Sequence, residues 1–244
     1  MGNVEKQIAV IYSGKDSPNF ETEELIRYMV AKTLRNHQDY KAGPGKLYIA
    51  ADSEEETDLS KEPAADILLF EFIEERDDVE EARRLAYNAN KGARIFVPLG
   101  SSFITKDLVG PFKTILTYSL SDQNANICSN RIIPRSDGGF DLEVVYQSDP
   151  LGKGSLRNRI FPGFNKNMFG KAAVNSTDRA DILTVIKAYS IGMALSIETK
   201  YLRDGISPFV FESMAKKIEE DRLAKANEPK TVARSSREKE FDPD

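Results

Sequence analysis

The sequence is poor in the residue types that form most catalytic centres. Its 244 residues include no tryptophan, one cysteine (Cys128) and one histidine (His37). With one histidine distant from the cysteine, no Ser-His-Asp or Cys-His arrangement is credible, and no cluster has zinc-ligand spacing. We expect Cys128 to be a small buried side chain and His37 a helix-capping or surface residue. A lone cysteine cannot form an internal disulfide, so a reducing, cytoplasmic location is expected.

Long apolar segments are also missing. No apolar run approaches the roughly 20 residues that a membrane-spanning helix needs. The N-terminal residues MGNVEKQ lack the apolar region of a signal peptide. A hydrophobic content of 40% with 30% charged residues is typical of a globular protein with a sizeable core. The formal net charge of −5 argues against a dedicated nucleic-acid binder, and we expect no membrane partner.

The first half of the chain alternates predicted strands with predicted helices. Apolar runs predict the strands, and apolar residues at helical spacing predict the helices. This alternation predicts an α/β fold, with a mostly parallel sheet flanked by helices on both faces. The predicted strands are 7–12, 46–51, 66–73, 93–99 and 113–118, and the predicted helices are 20–36 and 77–90.

The second half has a different character. Strands separated by Gly- and Pro-containing turns predict a small antiparallel sheet at about 123–162. Helices are predicted to follow, with Gly205 ending the second of them. We expect residues 1–226 to form one domain and 227–244 to be a polar tail, disordered unless bound. The predicted strands are 126–134, 139–147 and 156–161, and the predicted helices are 178–195, 198–204 and 207–226.

The loop after the first strand has the plan of a phosphate-binding loop. An apolar strand leads through Gly14 and Lys15 into a predicted helix. A working loop needs several glycines, and a lysine followed by Ser or Thr to bind Mg²⁺. Here Asp16 follows Lys15, and Pro18 removes a backbone donor. Gly14 and Lys15 are therefore candidates for a vestigial phosphate contact, with an exposed turn lysine as the alternative.

Three other segments have a functional and a structural interpretation. Glu71 lies in the apolar run 66–73, so its carboxylate must be paired or lie at the strand's end, where it could face a ligand crevice. The acidic residues Asp52, Glu54, Glu55 and Glu56 could bind Mg²⁺ or form a solvated loop. Residues 157–171 combine basic and aromatic side chains, which fits contact with RNA or an acidic partner, or an edge strand and loop.

Four stretches together resemble one enzyme family. The chain resembles the central, ATP-binding domain of the Mur ligases, which also include folylpolyglutamate and cyanophycin synthetases. The resemblance covers about residues 7–210. The order of the four stretches along the chain is more specific than any one motif. The stretches are IAVIYSGKDSPNFET, KGARIFVPLGSS, TILTYSLSDQNANICSNRIIPRSDGGFDLEVVY, and FPGFNKN followed by AYSIGMALSIETKYLRDGISPF.

The resemblance implies a chemistry as well as a fold. Members of this family use ATP to phosphorylate a carboxylate, and an amine then displaces the phosphate. By this resemblance, Gly14 and Lys15 would contact phosphate, and Asp52 is the acid nearest to the expected magnesium ligand.

The departures from the family pattern concern this same chemistry. The hydroxyl expected after Lys15 is missing, and the stretch DILLFEFIEERDD lacks the expected asparagine and histidine. Phe164 stands where the family has histidine, and a polar segment at 171–179 is predicted to interrupt the following helix. The C-terminal domain that binds nucleotide and amine during closure is not recognisable, nor is an N-terminal substrate domain.

Two hypotheses of different class follow. The first is a non-catalytic Mur-ligase-like protein that needs no cofactor. It would serve as a structural, assembly or regulatory subunit, with the C-terminal helix and tail binding a protein partner or another copy. The alternative is a subunit of an ATP- and magnesium-dependent carboxylate–amine ligase that another chain completes.

Overall fold

The computed structural model describes residues 7–15, 20–33, 38–51, 58–147 and 168–227. Within these residues, nine strands form one continuous sheet. The strands are β1 (Gln7–Tyr12), β2 (Gln38–Gly43), β3 (Lys46–Ala51), β4 (Ile67–Phe70), β5 (Arg94–Pro98), β6 (Thr114–Tyr118), β7 (Ile127–Pro134), β8 (Phe140–Tyr146) and β9 (Met168–Val174). The helices are α1 (Phe20–Thr33), α2 (Arg76–Asn88), α3 (Lys106–Val109), α4 (Asp181–Ala194), α5 (Thr199–Ile206) and α6 (Glu212–Asn227).

The sheet has the order β2-β3-β1-β4-β5-β6-β7-β8-β9. Strands β1, β4, β5 and β6 run parallel, as does the single residue pair between β6 and β7. Both ends of the sheet are antiparallel, at β2-β3-β1 and at β7-β8-β9. The predicted α/β class, with a mostly parallel core flanked by helices, is confirmed.

The sheet separates two hydrophobic cores. Alternate residues such as Ile67 and Leu69 of β4 pack with α1, α4 and α5 on one face. Their neighbours Leu68 and Phe70 pack with α2 and α3 on the other face. Because both faces are buried, the central strands are continuous apolar runs, which explains why they could be recognised in the sequence.

An edge hairpin was absent from the sequence prediction. Strand β2 pairs antiparallel with β3 across a tight turn that contains Gly45, whose φ is +63°. The segment QDYKAG of β2 carries little apolar alternation, because an edge strand buries few of its side chains. The strand therefore gave no periodic signal.

The third antiparallel strand also differs from the prediction. The predicted strand 156–161 lies outside the described residues. Strand β9 follows it, so the prediction that 171–179 interrupts a helix is wrong: 171–174 belong to a strand, and α4 begins at Asp181. Along β9, Gly170, Ala172 and Val174 are buried. A Cβ at Gly170 would lie 2.5 Å from the Tyr189 ring, so close packing of α4 requires a small residue there.

Gly205 does not end a helix as predicted but lies inside α5. A Cβ at this position would lie 2.5 Å from Thr33 Cγ2 of α1. The glycine therefore permits the close approach of α5 to α1. The last helix also begins later than predicted, since Phe209 and Phe211 precede α6 and are buried in the core.

Cys128 is free and buried, as predicted, and burial raises the pKa of its thiol. Within the part of the chain that the structure describes, none of the helices has the length and apolar character to cross a bilayer.

Candidate functional site

The carboxyl edge of the parallel strands is where an open α/β sheet is expected to bind a ligand. Strand β1 lies beside β4, and the chain continues from β1 into α1 on one face of the sheet but from β4 into α2 on the other face. In open α/β sheets, ligands bind beyond the carboxyl ends of strands at such a switch point. Gly14 and Lys15 follow β1 at this edge, and Glu71 follows β4.

The loop after β1 rests on the turn of the β2–β3 hairpin. The Ser13 N–H donates to the Gly45 carbonyl at 2.9 Å, and a Cβ at Gly45 would overlap the Gly14 carbonyl. Gly14 is buried with φ +88°, a left-handed conformation that favours glycine, whereas Lys15 is exposed. The predicted pair thus lies at the expected edge, and its phosphate contact stays a prediction.

A carboxylate from α2 occupies the inside of this loop. Asp78 Oδ1 accepts hydrogen bonds from the Lys15 N–H at 3.1 Å and from the Tyr12 hydroxyl at 2.9 Å. Its Oδ2 lies 2.7 Å from the position that a Cβ on Gly14 would take. Asp78 is 7% exposed and lies in the first turn of α2, where the helix dipole favours a negative charge. Burial and the bond to Asp78 raise the pKa of the Tyr12 phenol, which therefore stays a donor.

This arrangement does not fit a phosphate group bound at Gly14. A phosphate loop uses free backbone N–H groups, but the Lys15 N–H already binds Asp78. A phosphate at the same position would also lie close to a buried carboxylate of like charge. Asp78 was not identified from the sequence, because its role depends on a contact across 63 residues.

On the opposite face of the sheet, Glu71 forms a buried ion pair with Lys187 of α4. The two residues are 4% and 5% exposed. Glu71 continues the alternation of Ile67 and Leu69, which directs its side chain toward α4. The predicted ion pair is confirmed, and it lies at the strand's end. Lys187 was missed, although a single charged residue within the apolar sequence of α4 was a usable signal.

Tyr118 of β6 adds a polar contact beside this pair. Its hydroxyl donates to the Phe70 carbonyl at 2.7 Å, at the residue before Glu71. Burial, and then the charge of Glu71, raise the pKa of the Tyr118 phenol well above its usual value. The phenol therefore stays protonated and fixes the end of β4.

A pair of carboxyl groups lies at the N-terminus of α1. Glu21 of its first turn interacts with Asp181, the first residue of α4. Burial raises the pKa of both groups, and the charge of Asp181 further raises the pKa of Glu21. The Ser176 hydroxyl donates to Asp181, and the Ser213 hydroxyl does so at 3.4 Å. A helix N-terminus attracts anions, and here the protein supplies carboxyl groups itself.

An ionic network joins β3 to α2 and supports the helix that carries Asp78. Lys46 pairs with Glu81 and, at 2.6 Å, with Glu62. Arg84 binds the same two carboxylates, at 2.7 Å and 2.5 Å. The Tyr48 hydroxyl donates to Glu62 at 3.0 Å. Each carboxylate thus has at least two cationic partners.

This network makes stability depend on pH. The Arg84 hydrogen bond and Lys46 lower the pKa of Glu81 to about 2, whereas the unfolded value is 4.5. The stabilisation is present above pH 4.5 and is lost as pH falls toward 2. As pH falls through this range, the free energy of unfolding of wild type should fall by about 1–2 kcal/mol more than that of Glu81→Gln, after allowing for solvent screening. Urea unfolding at pH 7, 4 and 3 measures this. The control Glu80→Gln, at an exposed neighbour, should keep the wild-type pH dependence.

Several candidate segments lie outside the described residues. They include His37, Asp52 and Phe164, most of 157–171, and the tail beyond 227. Among the residues that the structure does describe, no group of three or more His, Cys, Asp or Glu side chains is arranged to hold a metal ion.

Comparison with known proteins identifies the fold. No protein-family model matches the chain, and no curated protein matches its sequence. Among solved structures, MurF from Acinetobacter baumannii matches with a TM-score of 0.51 and 9% identity, over 82% of this chain and 45% of that one. A second match is a UDP-N-acetylmuramoylalanyl-D-glutamyl-2,6-diaminopimelate–D-alanyl-D-alanyl ligase from the same organism. Its TM-score is 0.51 and its sequence identity 9%, over 81% of this chain and 45% of that one. The chain has a Mur ligase-like fold and spans less than half the length of these structures.

Proposed function

We propose that this chain is a non-catalytic protein with a Mur ligase-like fold, acting as an assembly or regulatory subunit through protein–protein contacts. The observation that carries the proposal is the carboxylate of Asp78 inside the loop after β1. It takes the Lys15 N–H that a nucleotide phosphate would need and places negative charge beside Gly14. The protein's own carboxylate, rather than a bound phosphate, therefore stabilises this loop.

The remaining charges at the carboxyl edge support the same proposal. ATP-dependent ligation needs preorganised positive charge where negative charge develops. Here Lys187 is already neutralised by Glu71, and the N-terminus of α1 carries the carboxyl pair Glu21–Asp181. These groups have internal partners, so they contribute to the fold rather than to a ligand site.

Helix α6 supports a role in protein contacts. Met214 is the last buried residue among its side chains described up to 224, and beyond it Lys217 donates to the Asp137 carbonyl at 2.6 Å. Ile218 and Leu223 are 55% and 54% exposed. A helix that adds so little to the core has surface left for a partner. We therefore assign partner binding to α6 and the following residues 228–244.

Calorimetric titration with Mg-ATP at near-millimolar concentration tests the proposal. We expect no binding to wild type and none to Lys15→Ala, because the loop already holds Asp78. Binding to wild type that Lys15→Ala abolishes would overturn the proposal. Lys61→Ala is the matched control, since Lys61 is an exposed lysine away from the loop.

One observation favours the alternative function. Gly14 keeps a left-handed φ of +88°, and the exposed Lys15 follows it at the carboxyl edge of the sheet. In a ligase subunit completed by another chain, these residues would hold ATP with magnesium. Lysine-dependent binding of Mg-ATP in the same titration is the result that this alternative requires.

A further inference from the structure

A surface groove lies between α2 and α3, on the face of the sheet opposite α4 and α5. It encloses about 500 Å³. Tyr87, Phe103 and Leu108 form its apolar lining. Arg83 crosses the groove and donates from Nε to the Phe103 carbonyl at 3.1 Å. The Tyr87 side chain is 68% exposed, so the groove leaves a large aromatic surface in contact with water.

Exposed aromatic rings at one end of this groove have lysine side chains beside them. The lining itself contains Arg83, Arg84 and one acid, Glu80, and Arg84 is paired with Glu62 and Glu81. Lys113 lies 5.8 Å from the centre of the Tyr87 ring, and Lys91 lies 4.4 Å from that of Phe112. The groove therefore offers cations beside exposed aromatic rings, a combination that fits carboxylates next to an aromatic side chain.

We propose that residues 240–244 of a second copy of this chain bind in the groove. This segment, EFDPD, places Phe241 among three carboxylates. The ring of Phe241 would pack against Tyr87 and Leu108, and the carboxylates would pair with Arg83 and Lys113. The partner in the protein–protein contacts of the proposed function would then be a second copy of this chain, and this inference rests on that function.

The position of α6 favours a second copy over the chain's own groove. Phe211, immediately before α6, belongs to the core on the side of α1, α4 and α5. The groove belongs to the α2 and α3 side. Helix α6 therefore begins on the side of the sheet opposite the groove of its own chain. Binding between copies is head-to-tail, and such contacts extend into rings or open chains.

A single-stranded nucleic acid would also use cations and stacked aromatic rings. The net charge of −5 disfavours a long polyanion, which the rest of the protein would repel, more than a short acidic peptide that contacts only the groove. Nucleic-acid binding at this groove would therefore contradict the proposal.

Sedimentation velocity of the full-length protein at several concentrations tests the contact. We expect the average mass to rise with concentration in wild type. Tyr87→Ala and Phe241→Ala should each weaken self-association by about tenfold or more, as for aromatic residues at interface centres. Tyr201→Ala, at another exposed tyrosine on α5, should associate like wild type.

Mixing the two variants gives a sharper result. Tyr87→Ala keeps its tail and Phe241→Ala keeps its groove, so a head-to-tail contact predicts one-to-one dimers that do not grow further. A monomeric wild type, or variants that associate normally, would overturn the proposal. Tyr87-dependent binding of labelled oligothymidylate without self-association would overturn it in favour of nucleic acid.

These outcomes are separate from the failure of the proposed function. Mg-ATP binding by wild type would refute the non-catalytic assignment, even if Tyr87→Ala and Phe241→Ala behaved as expected. Normal assembly of both variants with no ATP binding would refute only the contact proposed here.

Discussion

Replacing Lys187 with methionine is expected to lower the free energy of unfolding by about 3–5 kcal/mol. The side chain of Lys187 is buried against Glu71, and its removal leaves an uncompensated carboxylate between β4 and α4. The nearby hydroxyl of Tyr118 is committed to the Phe70 carbonyl and cannot easily replace the lysine. Urea unfolding at pH 7 measures the change.

The double variant Lys187→Met, Glu71→Leu distinguishes a lost ion pair from a packing defect. We expect it to be more stable than Lys187→Met alone, because no unpaired charge remains. Lys200→Met is the control, since Lys200 is an exposed lysine on α5. If Lys187→Met were as stable as Lys200→Met, the pair would have no structural role.

Replacing Asp78 with alanine is expected to lower the free energy of unfolding by about 2–4 kcal/mol. Two donors, the Tyr12 hydroxyl and the Lys15 N–H, would lose their acceptor. A buried group left without its partner costs about 1–3 kcal/mol. Because Asp78 joins the loop to α2, the variant should also loosen the loop around Gly14, and hydrogen exchange at Lys15 would detect this.

The neighbouring aspartate provides a matched control. Asp77 lies in the same first turn of α2 but is exposed, so the free energy of unfolding of Asp77→Ala should be close to that of wild type. The stability of Asp78→Asn should lie between those of wild type and Asp78→Ala, since its amide oxygen still accepts a hydrogen bond. Equal stability of Asp77→Ala and Asp78→Ala would contradict the role that we assign to Asp78.

The sequence alone determined the α/β class and the central strands. The predicted bounds of β1 and β3 agree with the structure. The predicted β7 is one residue too long at its start, and the predicted β8 is one residue too long at each end. These strands are recognisable because burial on both faces, or alternation with turns, leaves a local pattern. Strands β2 and β9 were missed; they are the two edge strands of the sheet, and neither has a run of large apolar residues.

Tertiary structure decided what the candidate site contains. The sequence identified Gly14, Lys15 and Glu71, because a glycine turn after a strand and a charge in an apolar run are local signals. It could not identify Asp78, which contacts Lys15 across 63 residues. Lys187 is recognisable as a charge in the apolar α4, but its pairing with Glu71 across 116 residues is not a local signal. Nor could it show that Gly205 serves the contact of α5 with α1. Local patterns fix which segments form strands and helices, but only their packing decides which charge meets which loop.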